Sequence, residues 1–227
     1  MRIKITKNGP YLVSGGIPLK EMVITQEGHH NTLRSGRTLP QAESYALCRC
    51  GGSNNAPFCD GTHIKNGFDG TETASRKPYN ERITDVTRGS AIDLLDDGRC
   101  AFARFCHTER GDIWNITAND DDPKNCESAI RAASECPAGR LVMVDKEGRV
   151  LEAQSEPVII ILQDPQQNVS AGIFVHGPVT IEAADGTEYE VRNRVALCRC
   201  GGSNNKPFCD ATHVSIGFDD GHVHDKR

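Results

Sequence analysis

"CRCGGSNNAPFCDGTH" occupies residues 48–63, and "CRCGGSNNKPFCDATH" occupies residues 198–213. Every Cys and His of the first stretch recurs in the second at an offset of 150 residues. The likeness extends beyond the quoted core: Ala46-Leu47 return as Ala196-Leu197, and Gly67-Phe68-Asp69 return as Gly217-Phe218-Asp219. From Ala46 to Asp69, only positions 56, 61, 64, 65 and 66 differ from the second copy. One chain carries a duplicated unit, and the segments leading into each copy set the fold.

The first copy is preceded by "RIKIT", "YLV" and "EMVIT", short runs broken by Gly, Pro and Asn. The second is preceded by "GIFVHG", "PVTIEAADGTEYEVR" and "RVALC". Alternation of apolar and polar residues is the period of a half-buried strand, and Ala184-Asp185-Gly186 between two such runs signals a hairpin. Both copies are thus expected to be delivered by β-structure. Between them, "DDPKNCESAIRAASECPAG" predicts a helix, with Asp122 as N-cap, Pro123 at the first helical position, Glu127 in the first turns, and Pro137 and Gly139 closing it. "RLVMVDKEGRVLE" reads as two strands around a Lys146-Glu147-Gly148 turn. The expected architecture is mainly β (α+β overall), divided into a first unit at 1–77, a small helix-plus-hairpin middle domain at 78–156 and a second unit at 157–227. Asp96-Asp97 and Asp120-Asp121-Asp122 read as solvated turns. His29, His30, His107, His222 and His224 read as surface residues, and the terminal "DDGHVHDKR" as a mobile tail.

The 227 residues carry a net charge of −5, which argues against a nucleic-acid partner, since phosphate binding needs a basic face. No apolar run approaches the ~20 residues of a membrane-spanning helix; the longest, "PVIIIL" at 157–162, is strand-sized. "MRIKITKNGP" lacks the apolar region of a signal peptide. A cytoplasmic protein with no membrane anchor is expected. Six of its ten cysteines lie in the repeats, and in a reducing compartment thiols at fixed spacing point to metal rather than to disulfides.

Each copy presents Cys-x-Cys, eight residues, Cys, three residues, then His: Cys48, Cys50, Cys59 and His63, and again Cys198, Cys200, Cys209 and His213. The Gly, Ser and Asn between them let the backbone turn tightly and offer N–H groups to charged sulfur. A single zinc ion would accept three Cys and one His tetrahedrally, which would make the protein a structural zinc-binding interaction module. Zinc pairs are usually spaced Cys-x₂₋₄-Cys, however. A [2Fe–2S] rhomb has two irons, each needing two protein ligands, and suits an early pair and a late pair.

These residues resemble the CDGSH iron–sulfur family (mitoNEET-like), whose signature Cys-x-Cys-x₂-Ser-x₃-Pro-x-Cys-Asp-Gly-(Ser/Ala/Thr)-His is matched at Cys48, Cys50, Ser53, Pro57, Cys59, Asp60, Gly61, Thr62 and His63. The second copy matches with Cys198, Cys200, Ser203, Pro207, Cys209, Asp210, Thr212 and His213, and departs where Ala211 replaces Gly. The resemblance implies a [2Fe–2S] cluster on the three Cys and one His of each copy. It also implies a β fold in which two units pair about a two-fold axis; with both in one chain, an intramolecular pseudo-dimer and a monomer are expected. The implied roles are electron transfer, transfer of the cluster to an acceptor protein, or redox sensing, without enzymatic activity.

The neighbours of the ligands carry their own expectations. Asp60 and Asp210 would cap the turns that aim His63 and His213, and Ser53 and Ser203 would support the loops. Tolerance of Ala at 211 suggests that this position needs no left-handed backbone. Lys206, where the first copy has Ala56, would raise the potential of the second centre. Cys100, Cys106, Cys126 and Cys136 remain. "CAFARFC" with a later "CP" resembles a divergent single-cluster ferredoxin domain, so a third cluster stands against reduced structural thiols. Cys126, on one helix face with Ile130 and Ala133, reads as core.

Overall fold

The computed structural model describes residues 1–223. The first third of the chain forms β1 (Arg2–Ile5), β2 (Tyr11–Ser14), β3 (Leu19–Glu27), β4 (His30–Ser35), β5 (Ser44–Leu47) and the short helix α1 (Thr62–Lys65). The middle forms α2 (Tyr79–Arg82), β6 (Asp85–Arg88), β7 (Ile92–Asp96), β8 (His107–Thr108), β9 (Gly111–Asp112), α3 (Ile113–Ala118), α4 (Pro123–Glu135) and β10 (Leu141–Asp145). The last third forms β11 (Val158–Asp164), β12 (Val169–His176), β13 (Thr180–Glu182), β14 (Arg194–Leu197) and α5 (Thr212–Ser215).

Two sheets are built by exchange between the halves. One runs β13-β1-β2-β5 and the other β14-β12-β11-β3-β4. In the first, β1 pairs in parallel with β13 of the second half, Ile3 opposite Ile181. In the second, β11 pairs in parallel with β3 of the first half, Ile159 opposite Leu19. Register shows the equivalence of the halves: Tyr11 faces Leu47 where Ile173 faces Leu197. Alternation explains the seam. In β1, Ile3 and Ile5 are buried while Arg2 and Lys4 are exposed. They join Tyr11, Val13 and Leu19 from the first half and Ile159, Ile161, Ile173, Val175 and Ile181 from the second in one core. At ~1.5–3 kcal/mol per buried large aliphatic, that shared core holds the pseudo-two-fold pair together, and the fold is mainly β as expected.

The middle segment packs β10-β7-β6 against α3 and α4 around Leu94, Ile113, Ile116, Ala129, Ala132 and Leu141. Helix α4 begins as its sequence signals: Asp122 caps it by accepting from Lys124 N at 3.0 Å, with Pro123 in the first turn. Cys126 packs against this core, partly buried. The turns at Asp185-Gly186 and Glu147-Gly148 form, but each returning arm makes only a bridge, Glu182 to Glu188 and Val144 to Val150.

Three readings of polar residues are corrected. Asp96, Asp97 and Asp120 are buried because each has partners inside. Asp96 holds Arg140, Asp97 holds Arg82 and Arg99, and Asp120 accepts the backbone N–H groups of Ser90, Ala91 and Ile92. His30 is buried in β4, its Nε2 3.0 Å from Glu135 and its Nδ1 3.0 Å from His107 O. The start of the terminal segment is anchored rather than mobile, since Asp220 pairs with Arg199 and Val223 is buried; His224 lies outside the described residues.

Candidate metal centres

Strands β5 and β14 each end one residue before the first cysteine of a repeat, and the chain then folds back on itself. Cys48 N donates to Pro57 O at 2.8 Å and Cys59 N to Ala46 O at 2.9 Å. Cys198 and Cys209 do the same with Pro207 and Ala196 at 2.8 and 2.9 Å. The Ser53 and Ser203 hydroxyls close the loop on Phe58 O (2.6 Å) and Phe208 O (2.7 Å) while accepting from Asn55 N and Asn205 N. Asp60 accepts from Asn54 N (2.9 Å) and Thr62 N (3.0 Å), and Asp210 from Asn204 N (2.8 Å) and Thr212 N (3.1 Å). Each aspartate thereby joins the loop to the helix bearing the histidine. These hydrogen bonds, that of Asn54 foremost, hold the Asp60 carboxyl well below the usual carboxylate range.

The four candidate ligands of each repeat gather as two pairs. In the first, Cys48 Sγ and Cys50 Sγ are 3.8 Å apart, and Cys59 Sγ and His63 Nδ1 are 3.4 Å apart. In the second the separations are 3.6 Å for Cys198 and Cys200, and 3.5 Å for Cys209 and His213. Backbone N–H groups favour the thiolates: Ser53 and Gly51 bond Cys48, and Ser203 and Gly201 bond Cys198. Burial and the Cys50 charge nonetheless push Cys48 up to about 11, whereas the bond from Cys200 brings Cys198 down to about 6. Burial, then Arg199, push His213 down to about 4, so its imidazole is neutral, the form that ligates. The donor set fits two metal ions with two protein ligands each, and every sulfur pair lies within reach of peptide dipoles.

The reading of position 61/211 is corrected. Both residues are left-handed, Gly61 at φ 86° and Ala211 at φ 71°, because the chain reverses at each to start a helix. Ala211 carries a strain that the sequence alone hid. Ala211→Gly is expected to raise stability by about 0.5–1 kcal/mol, the left-handed penalty less the glycine entropy, read as a higher urea midpoint with unchanged m-value. Lys206 does not extend toward the ligands; its Nζ donates to Ser203 O at 2.8 Å.

Sequence reading did not single out the arginines between the cysteines. Arg49 and Arg199 are buried. Arg199 donates to Ala171 O (2.7 Å) and Leu162 O (2.9 Å) and pairs with Asp220, while Arg49 reaches Gly70 O at 2.5 Å and stacks on Tyr11 and Phe68. The signal was present, since Arg stands between the cysteines in both copies.

A family model described as iron-binding zinc finger CDGSH type matches residues 8–64 and 171–214. A second, described as divergent 4Fe-4S mono-cluster, matches residues 87–146 between them. These matches, on a mainly β fold, support iron–sulfur binding. Two regions matching the CDGSH type thus stand in tandem, flanking a region that matches the divergent mono-cluster type. No curated protein and no solved structure gives a significant match. Among the described residues no helix is long and apolar enough to cross a membrane.

Proposed function

We propose that Cys48, Cys50, Cys59 and His63 hold one [2Fe–2S] cluster and that Cys198, Cys200, Cys209 and His213 hold a second. On this reading the protein is a cytoplasmic, monomeric carrier of electrons or of the cluster itself, or a redox sensor, acting on an acceptor protein and not as an enzyme. The observation that carries it is the pairing: sulfur with sulfur at 3.8 and 3.6 Å, sulfur with imidazole nitrogen at 3.4 and 3.5 Å. Two ligands per iron is what a rhomb requires. A bound [2Fe–2S] cluster takes up and returns one electron; the chain's part is to present thiolates under N–H dipoles and a neutral imidazole. A structural zinc module is the competing reading of the same residues.

The middle segment supports a further centre. Phe102 and Arg104 are both left-handed, at φ 59° and 63°, a strain that accumulates where a loop is shaped for function. Phe102 N points at Cys100 Sγ (3.3 Å). Burial, and then the neighbouring Cys136 and Cys100, push Cys106 up to about 11, which places the three cysteines within electrostatic reach of one another.

Protein purified without added metal is expected to be red, with about four irons and four sulfides per chain, and more iron if the middle cysteines also bind. Colourless protein with about two zincs would overturn the cluster reading. Acidification to pH 5 is expected to begin bleaching the colour by protonating a ligand histidine, the His213 centre following only as pH approaches 4, while far-UV dichroism stays constant. Burial raises Asp220 and Asp120, but Arg199 in the one case and hydrogen bonds led by Ser90 in the other outweigh it and hold both at about 2. The stability they contribute is complete above about pH 4 and is lost only as pH falls towards 2, so bleaching at pH 5 reports the ligand and not unfolding.

A further inference from the structure

We propose that the two centres are unequal in access: the first exchanges its metal group with a partner, and the second is held shut by the rest of the chain. The inference rests on both sites holding metal, as proposed above. The repeats are nearly identical, so a difference between the sites has to come from what packs on them. His213, Cys209 and Ser203 are 2%, 4% and 2% exposed. Their counterparts His63, Cys59 and Ser53 are half-buried, and Ile64 beside His63 is 78% exposed.

Three elements close the second site, and the first two break the pseudo-symmetry. Tyr11 donates its hydroxyl to Cys198 O (2.8 Å) and Pro207 O (3.0 Å). Its counterpart in register, Ile173, has no hydroxyl, and a small cavity remains between Cys48, Pro57, Arg199, Phe218 and Asp220. The middle segment lies on the second repeat. Arg99 stacks on Phe208 at 4.9 Å, and Ala101, Ala103 and Phe105 share a core with Cys209. Arg104 pairs with Asp164 at 2.6 Å, and both lie within electrostatic reach of His213. Finally, the chain beyond the first repeat braces the second loop: Thr73 N and Ala74 N donate to Lys206 O at 2.8 and 2.9 Å, and Thr73 Oγ1 to Asn204 O at 2.7 Å.

A competing ligand has to approach a metal–ligand bond. At a buried site that requires local opening against these contacts; at the half-buried Cys59–His63 pair it does not. In exchange, bonds from the group to Cys48, Cys50, Cys59 and His63 break as bonds to the acceptor's ligands form. Protons leaving acceptor thiols pass to the displaced ligands, with no net oxidation or reduction.

The test is release of metal from the full chain as purified, at neutral pH, into an excess of chromogenic chelator. Two phases are expected from the repeats, with rates at least about tenfold apart, the faster belonging to the first site; any metal on the middle cysteines would add a phase that neither His63→Cys nor His213→Cys alters. His63→Cys should alter the fast phase alone and His213→Cys the slow phase alone. Arg104→Ala should accelerate only the slow phase. Tyr11→Phe, which keeps the ring and deletes two hydrogen bonds, serves the same purpose if Arg104→Ala fails to fold. One shared phase, the reverse assignment, or acceleration of the fast phase by Arg104→Ala would overturn the proposal. Zinc in place of iron would sink the cluster reading, yet its release in two phases would still support unequal access.

Discussion

Arg194→Ala is expected to cost about 3–5 kcal/mol, the range for breaking a buried ion pair from one side. Arg194 is 3% exposed on β14. It donates to Ala133 O at 2.7 Å, to Cys136 O, and to Leu141 O at 3.2 Å, and it grips Glu152 at 2.6 and 2.7 Å. Truncation takes this donor from carbonyls at the end of α4 and the start of β10 and from the half-buried Glu152 carboxylate, which keeps only Asn193, and each group that loses its partner adds a desolvation penalty. Because the same side chain ties the second repeat's strand to the middle segment, the loss should be global. The check is urea unfolding; a change below about 1 kcal/mol would mean that the segments hold together without it. Arg194→Lys keeps the charge but not the fork, and should recover only part of the loss.

Gly51→Ala should empty both centres, although it lies in one. Gly51 has φ 76°, and a Cβ there would sit 2.5 Å from Cys200 O and 2.9 Å from Cys200 C. The reciprocal Gly201 faces Cys50 O at 2.7 Å. The obstacle is backbone, which cannot swing aside, so the clash adds to a left-handed penalty of ~1–2 kcal/mol and pushes one cysteine loop off the other. Metal analysis per chain decides the matter: retention of half the wild-type metal would show that the loops are independent. Gly61→Ala is the control. It has a similar φ of 86° but nothing within 4 Å of an added Cβ, and the second repeat already carries Ala211 there, so metal content should be unchanged.

Much of this was legible beforehand. The repeat, the strands leading into it and the capped helix at Pro123 are local patterns, and the cysteine spacing alone suggested two pairs. What escaped notice depends on long-range partners. Asp96 looked solvated because Arg140 stands far away in sequence; His30 looked superficial because Glu135 lies on a different element. The left-handed backbone at position 211 was misread from the alanine that stands there, since Ala endures φ 71° where surrounding hydrogen bonds enforce it. The exchange of β3 and β13 has no sequence signature at all, because a parallel partner is chosen by burial on both faces.

That exchange, made within one polypeptide, has a consequence for how the molecule can vary. Two separate chains meeting about an axis associate according to their concentration, and any substitution enters both sides at once. Here the connection supplies the second half at a fixed effective concentration, so pairing survives dilution. It also lets the halves differ: a tyrosine stands at position 11 where the other half has an isoleucine at 173, a difference that no identical pair of subunits could write.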